Sequence, residues 1–134
     1  MYAYRDDLGG VTAEHLEGFF VGWPAAPTPD QHLAALRGSH RVVVARVAGD
    51  PRVVGFVNLI SDGVLTGFVP WLEVLPEHQG RGVGTALMRR VLALAADLYS
   101  VDLLCDAPLQ PYYERLGMTA VPGMAVRNHR ALGG

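Results

Sequence analysis

The stretch LPEHQGRGVGTALMRR, Leu75 to Arg90, sets Gly80, Gly82 and Gly84 at alternate positions directly before an apolar-periodic run. Glycine inside a helix costs about 0.5–1 kcal/mol relative to alanine, so three together require a reason. From Gly84 to Tyr99, the residues Leu87, Val91, Leu94 and Leu98 recur at i, i+4, i+7 and i+11, the spacing of one helix face. The run before the glycines, WLEVL (Trp71–Leu75), reads as a strand, so the glycines fill a strand-to-helix junction. A helix N-terminus there offers free N–H groups and the positive end of its dipole. Glycines let a phosphate approach that backbone, and Arg81 adds a planar, fixed charge. The spacing alone leaves an ordinary glycine-rich turn equally open.

The flanking segments give the architecture. YAYRDD (2–7) reads as a first strand and Thr12–Phe20 as a helix with Leu16, Phe19 and Phe20 on one side. VGWPAAP (21–27) breaks the chain. TPDQHLAALRG (28–38) is then a punctuated helix: Thr28 is the N-cap, Pro29 takes the first position, Gln31 completes a capping box and Gly38 ends it. RVVVARVAG, RVVGFVNLI and VLTGFVPWLEVL, separated by the turn signals GDP and SDG, read as three consecutive antiparallel strands. After the helix from Gly84 come a short strand VDLLC (101–105), a short helix in PLQPYYERLG (108–117) and a last strand GMAVRN (123–128). The order β-α-α-β-β-β-α-β-α-β implies an α+β fold: a mixed, mostly antiparallel sheet with helices on both faces. Residues 1–134 read as one domain, with no repeat or linker.

Composition excludes several chemistries. The chain has no lysine, which removes a P-loop and a Schiff-base lysine. The net charge of −2 argues against broad nucleic-acid binding. His15, His32, His40, His78 and His129 show no metal-ligand spacing, so no metal is expected. No run of about 18 apolar residues is present, and the N-terminus lacks a basic-then-apolar signal, so no membrane is expected. A single cysteine, Cys105, fits a reducing cytoplasm and reads as core.

A dinucleotide fingerprint starting at Gly80 would need glycine where Thr85 stands. What remains is Gln79-x-x-Gly82-x-Gly84 after LEVLP, with Leu72, Val74 and Pro76. Downstream, YYERLGM places Tyr113 four residues before Gly117, with Met118 at the next position. From Trp71 to Met118, these segments resemble the GNAT superfamily of acyl-CoA-dependent N-acetyltransferases, with Met118 where the family usually has phenylalanine.

The resemblance implies a domain that binds acetyl-CoA through Val74, Leu75, Gln79, Gly80, Arg81, Gly82, Val83, Gly84 and Thr85. It implies that a backbone N–H on WLEVL, at Val74, polarises the thioester carbonyl, and that this strand splays from VDLLC to admit the pantetheine arm. Tyr113 takes the role of general acid, while Tyr112 and Pro111 are left as packing. Glu73, alternating with Leu72 and Val74, is the candidate base. Asp106 is a second candidate base, or simply a helix N-cap, and a water chain, as in some family members, is the third alternative. The acceptor side falls on FFVGWPAAP (19–27), where Phe20 and Trp23 suit a small amine with an apolar or aromatic body. CDAPLQPYYERLG (105–117) is similar in length and layout to the matching stretch of arylalkylamine N-acetyltransferases. The expected activity is acetyl transfer to a primary amine in a ternary complex. The rival is a non-catalytic acyl-CoA-binding module, and a homodimer stays open.

Overall fold

Two β-branched runs form the middle of the sheet. In the computed structural model, which describes residues 1–132, the strands are β1 (Tyr2–Arg5), β2 (Arg41–Val47), β3 (Val53–Ser61), β4 (Thr66–Phe68), β5 (Leu72–Val74) and β6 (Ser100–Asp102). The helices are α1 (Pro29–Arg37), α2 (Val83–Leu94) and α3 (Gln110–Glu114), with single 3-10 turns at Ala13–Leu16, Pro76–His78, Ala107–Leu109 and His129–Leu132. The sheet order is β1-β2-β3-β4-β6, and β5 pairs with β3 alone. All pairings are antiparallel except β4 with β6.

Neighbouring residues of β3 face opposite sides, so each face takes its own helix. Phe56 packs on the α1 side, 4.3 Å from the His32 ring between centroids, while Leu87 of α2 lies over Gly55. The apolar stripe of α2 is closed from water at Leu87, Met88 and Val91, each stabilising by about 1.5–3 kcal/mol. α1 begins as its sequence dictates. The Thr28 hydroxyl accepts from the Gln31 N–H at 3.1 Å, and the Gln31 side chain accepts from the Thr28 N–H at 2.9 Å.

Four elements differ from the sequence reading. The helix expected over Thr12–Phe20 is one 3-10 turn, because Glu17 turns extended and Gly18 takes a left-handed φ of 94°. The helix expected to reach Tyr99 ends at Leu94; Leu98 still packs, from a turn, onto Gly67. The single strand expected over 64–75 is two, with Val69–Trp71 between them. GMAVRN forms no strand: Met124 and Val126 stand in solvent, and Gly123 sits hard against Leu104. An alternating pattern makes a strand only where a ladder is free to receive it.

His32 is 2% exposed among Phe19, Phe20 and Phe56, and neither ring nitrogen has a partner among the described residues. Burial pushes its pKa from 6.5 down to about 4. The unfolded chain therefore takes up a proton that the folded one refuses. Stability is present in full above pH 6.5 and is lost as pH falls toward 4. The expected loss is on the order of 3 kcal/mol, at about 1.4 kcal/mol per pH unit. Urea unfolding at pH 7, 5.5 and 4 checks this, and His32→Leu should flatten the slope; an unchanged slope would assign the acid sensitivity elsewhere.

Candidate active site

The site begins where two strands part. β4 and β6 run parallel through Thr66↔Ser100, Gly67↔Val101 and Phe68↔Asp102, and the Val69 N–H donates to the Asp102 carbonyl at 2.9 Å. Past Pro70 the chain turns: Trp71, the next residue in line for β6, directs its carbonyl to Asn58 of β3, so the ladder with β6 is not continued. Beyond it β5 pairs with β3, and Leu103–Cys105 joins no strand among the described residues. Among the described residues no ladder joins β5 to Leu103–Cys105, which leaves a gap between them.

Register decides what faces the gap. The Leu75 N–H donates to the Val54 carbonyl at 2.9 Å, and the Asn58 N–H to the Trp71 carbonyl at 3.3 Å. In an antiparallel pair every second residue bonds its neighbour, so Trp71, Glu73 and Leu75 turn their backbone groups to β3. Leu72 and Val74 turn theirs to the gap. The Val74 carbonyl accepts from the Gln79 side chain at 3.0 Å, which leaves the Val74 N–H facing the opening. Gln79 thus braces the loop.

The glycine loop follows. Gly80 and Gly82 have φ of 76° and 82°, a region open to glycine and costly for residues with a Cβ, and Gly82 caps α2 in that conformation. Part of the glycine pattern is therefore demanded by the loop's own backbone. Space is the other part: a Cβ at either position would meet nothing within 4 Å. None of the N–H groups from Gly80 to Thr85 donates to another described residue, and the first turn of α2 holds no acidic side chain. The loop is a row of outward N–H dipoles at the positive end of a helix, suited to an anion. Arg81 is exposed, with no carboxylate partner among the described residues. It donates to the Tyr2 hydroxyl at 3.5 Å, and that hydroxyl also bonds His78 Nδ1 at 2.8 Å.

Other expected residues divide. The Leu75 and Val83 side chains are sealed in the core, so only their backbones can serve a ligand. Phe20, expected to wall an acceptor pocket, is buried too, with its ring edge-on to Trp23, His32 and Trp71. Trp23 is 41% exposed and offers the surface that Phe20 does not. Glu73 and Phe20 meet directly: the Phe20 N–H donates to Glu73 Oε1 at 2.9 Å. Burial raises the Glu73 pKa, and the Phe20 N–H opposes it. Asp106 is exposed at the N-cap of the Ala107–Leu109 turn, where its side chain makes no capping bond.

The two tyrosines of α3 separate. Tyr113 is half-buried and lines a cleft of about 860 Å³ beside β6, with Cys105, Gln110 and the Met118–Gly123 segment, and without Glu73, Val74 or the glycine loop. Burial first, then Tyr112 and Cys105, hold its hydroxyl above the usual phenol range. Cys105 is half-buried there rather than sealed in the core. Tyr112, left as packing by its sequence position, bonds the Thr85 hydroxyl at 3.1 Å, and its oxygen lies 3.5 Å from where a Gly84 Cβ would stand. It bridges α3 to the first turn of α2. Nothing in the local sequence signals this contact, because it joins residues 27 apart.

Comparison with known proteins agrees with this fold. The family model described as acetyltransferase (GNAT) family matches residues 9–118. The chain belongs to that family. A crystal structure of a candidate acetyltransferase from Deinococcus radiodurans R1 is 43% identical, with a TM-score of 0.94 over 99% of this chain and 92% of that one. A GNAT-family acetyltransferase from Streptococcus pneumoniae TIGR4 is 27% identical, with a TM-score of 0.77 over 96% of this chain and 98% of that one. GCN5-related N-acetyltransferase 2, chloroplastic, of Arabidopsis thaliana is 27% identical over 85% of this chain and 52% of its own length. Histone acetyltransferase TAP1 of Glycine max is 28% identical over 76% and 48%. The chain spans about half the length of these two curated relatives.

Tyr112→Phe and Thr85→Val should each lower stability by about 0.5–1.5 kcal/mol, the usual worth of one hydrogen bond. Because they share that bond, the double variant should lose little more than either alone in urea unfolding. Additive losses would mean that the hydroxyls act separately.

Proposed function

We propose that the chain transfers an acetyl group from acetyl-CoA to the primary amine of a small molecule with an apolar or aromatic body, by direct attack in a ternary complex. One observation carries this reading: the unpaired N–H groups from Gly80 to Thr85 stand at the mouth of the gap left by β5 and β6. A phosphate-bearing, elongated thioester fits such a pairing of anion site and slot.

The roles follow from the chemistry. The loop N–H groups and Arg81 would hold the pyrophosphate. The Val74 N–H would donate to the carbonyl oxygen as negative charge builds there. Glu73, its pKa raised by burial, would take the proton of the attacking amine. Tyr113, holding its proton more tightly than a free phenol, would return one to the departing sulfur. Trp23 and half-buried Trp71, beside the Phe19–Phe20 cluster, support an aryl or alkyl acceptor body.

The second reading, a module that binds acyl-CoA without turnover, draws on one observation: Tyr113 lines the cleft beside β6 rather than the loop. Thiol release from acetyl-CoA with a panel of arylalkylamines, alkylamines, polyamines and aminoglycosides separates the two. Turnover led by aryl- and alkylamines is expected, and tight binding with no turnover would favour the module.

Two variants probe the assignments. Tyr113→Phe should lower kcat by roughly 10²–10⁴-fold with little change in acetyl-CoA affinity, the range for loss of a general acid. A near-normal kcat would make the tyrosine structural. Gly84 is helical, and a Cβ there meets only ordinary contacts, so Gly84→Val should keep the fold and cut acetyl-CoA affinity in calorimetry. Unchanged affinity would remove the loop from the coenzyme site.

A further inference from the structure

Phe20 is the non-glycine residue with a positive φ, 62°, among the described residues. That conformation is unfavourable for any residue carrying a Cβ, so something outside the residue must hold it. The segment Glu17–Trp23 supplies little of its own: it has neither helix nor strand, and Gly18 and Gly22 are also left-handed. The Phe20 backbone is the hub of this segment. Its carbonyl accepts from the Trp23 N–H at 3.3 Å, and its N–H donates to Glu73 Oε1 at 2.9 Å. Its ring stands edge-on to Trp23, His32 and Trp71. Glu73 is itself rigidly placed. It pairs with Phe56 across β3–β5, and the Phe56 ring packs on Phe19. Its other oxygen, Oε2, makes no hydrogen bond to the described residues.

We propose that Glu73 is a positioning residue for the acceptor side: Oε1 holds Phe20, and through it the Phe19–Trp23 loop and the exposed Trp23 ring, while Oε2 stays free for proton transfer. The carboxylate thus does two separable jobs with two atoms. The hold needs an acceptor oxygen, which glutamine keeps at the lower strength of an uncharged bond. Its kinetic consequence rests on the transferase reading above; the hold itself does not.

The experiment pairs amide exchange with kinetics. In the wild-type protein the Phe20 amide should be protected in hydrogen exchange followed by NMR. Glu73→Gln should keep most of that protection, with exchange faster by no more than about fivefold, whereas Glu73→Ala and Glu73→Leu should speed it at least about tenfold, as for a lost hydrogen bond to a carboxylate. With a turned-over amine, all three lose kcat, but only Ala and Leu should also raise the amine KM, by about tenfold or more, with the acetyl-CoA KM within about twofold. Rapid exchange at Phe20 in the wild type, protection that survives in both Ala and Leu, or Gln behaving as Ala does would each overturn the proposal. Exchange that follows expectation while no amine is acetylated would support the hold on the loop and sink the transferase reading instead.

Discussion

The change of partner at Pro70–Trp71, from β6 to β3, is the constraint on which the site depends. β3 is long enough to pair with two successive short strands, β4 at its end and β5 at its start. A Trp71 N–H still aimed at β6 would extend the parallel ladder, and the sheet would close. Trp71 bonds β3 instead, so the ladder stops at Val69–Asp102, and the outward groups of Leu72 and Val74 find no strand among the described residues. Unpaired groups inside a sheet are ordinarily a cost. Here they point into a gap at the open end of the domain, where a ligand can satisfy them.

The same short strand then serves both faces. Successive residues of β5 project oppositely, so Glu73 meets Phe20 on the α1 side while Val74 lies beside Gly84 on the α2 side. The two reactant sites proposed above would therefore be built on adjacent residues of one rigid element. A displacement of β5 cannot improve one side without moving the other, which favours a fixed geometry over a mobile one.

Much of this was legible in the chain. The glycines before an apolar-periodic helix, the Thr28–Gln31 capping box and the β-branched runs act locally, and each appears where its spacing places it. What escaped was non-local or depended on a single atom. Pro70 sits in plain view inside VLTGFVPWLEVL, yet alternation outweighed it and the run read as one strand. Phe20 and Trp23 fall in the same loop, and no periodicity says which ring is sealed and which is open. The Tyr112–Thr85 and Glu73–Phe20 bonds join distant segments, and the helical tail of α2 and the last strand failed because tertiary neighbours decide such ends.

Tyr2 ties the glycine loop to the rim of the sheet. β1 pairs only with β2, so its outer side is an unpaired edge, the place where another chain could add a strand. On the α2 face, Tyr4 lies under Arg90 and Tyr2 bonds both His78 and Arg81. Peeling β1 away would break those bonds and free the loop's arginine. The linkage runs both ways, so an anion that stiffens the loop also fastens the rim. Occupancy of the loop would then resist the peeling of β1 that uncovers β2, and the empty protein would give up its rim strand more readily.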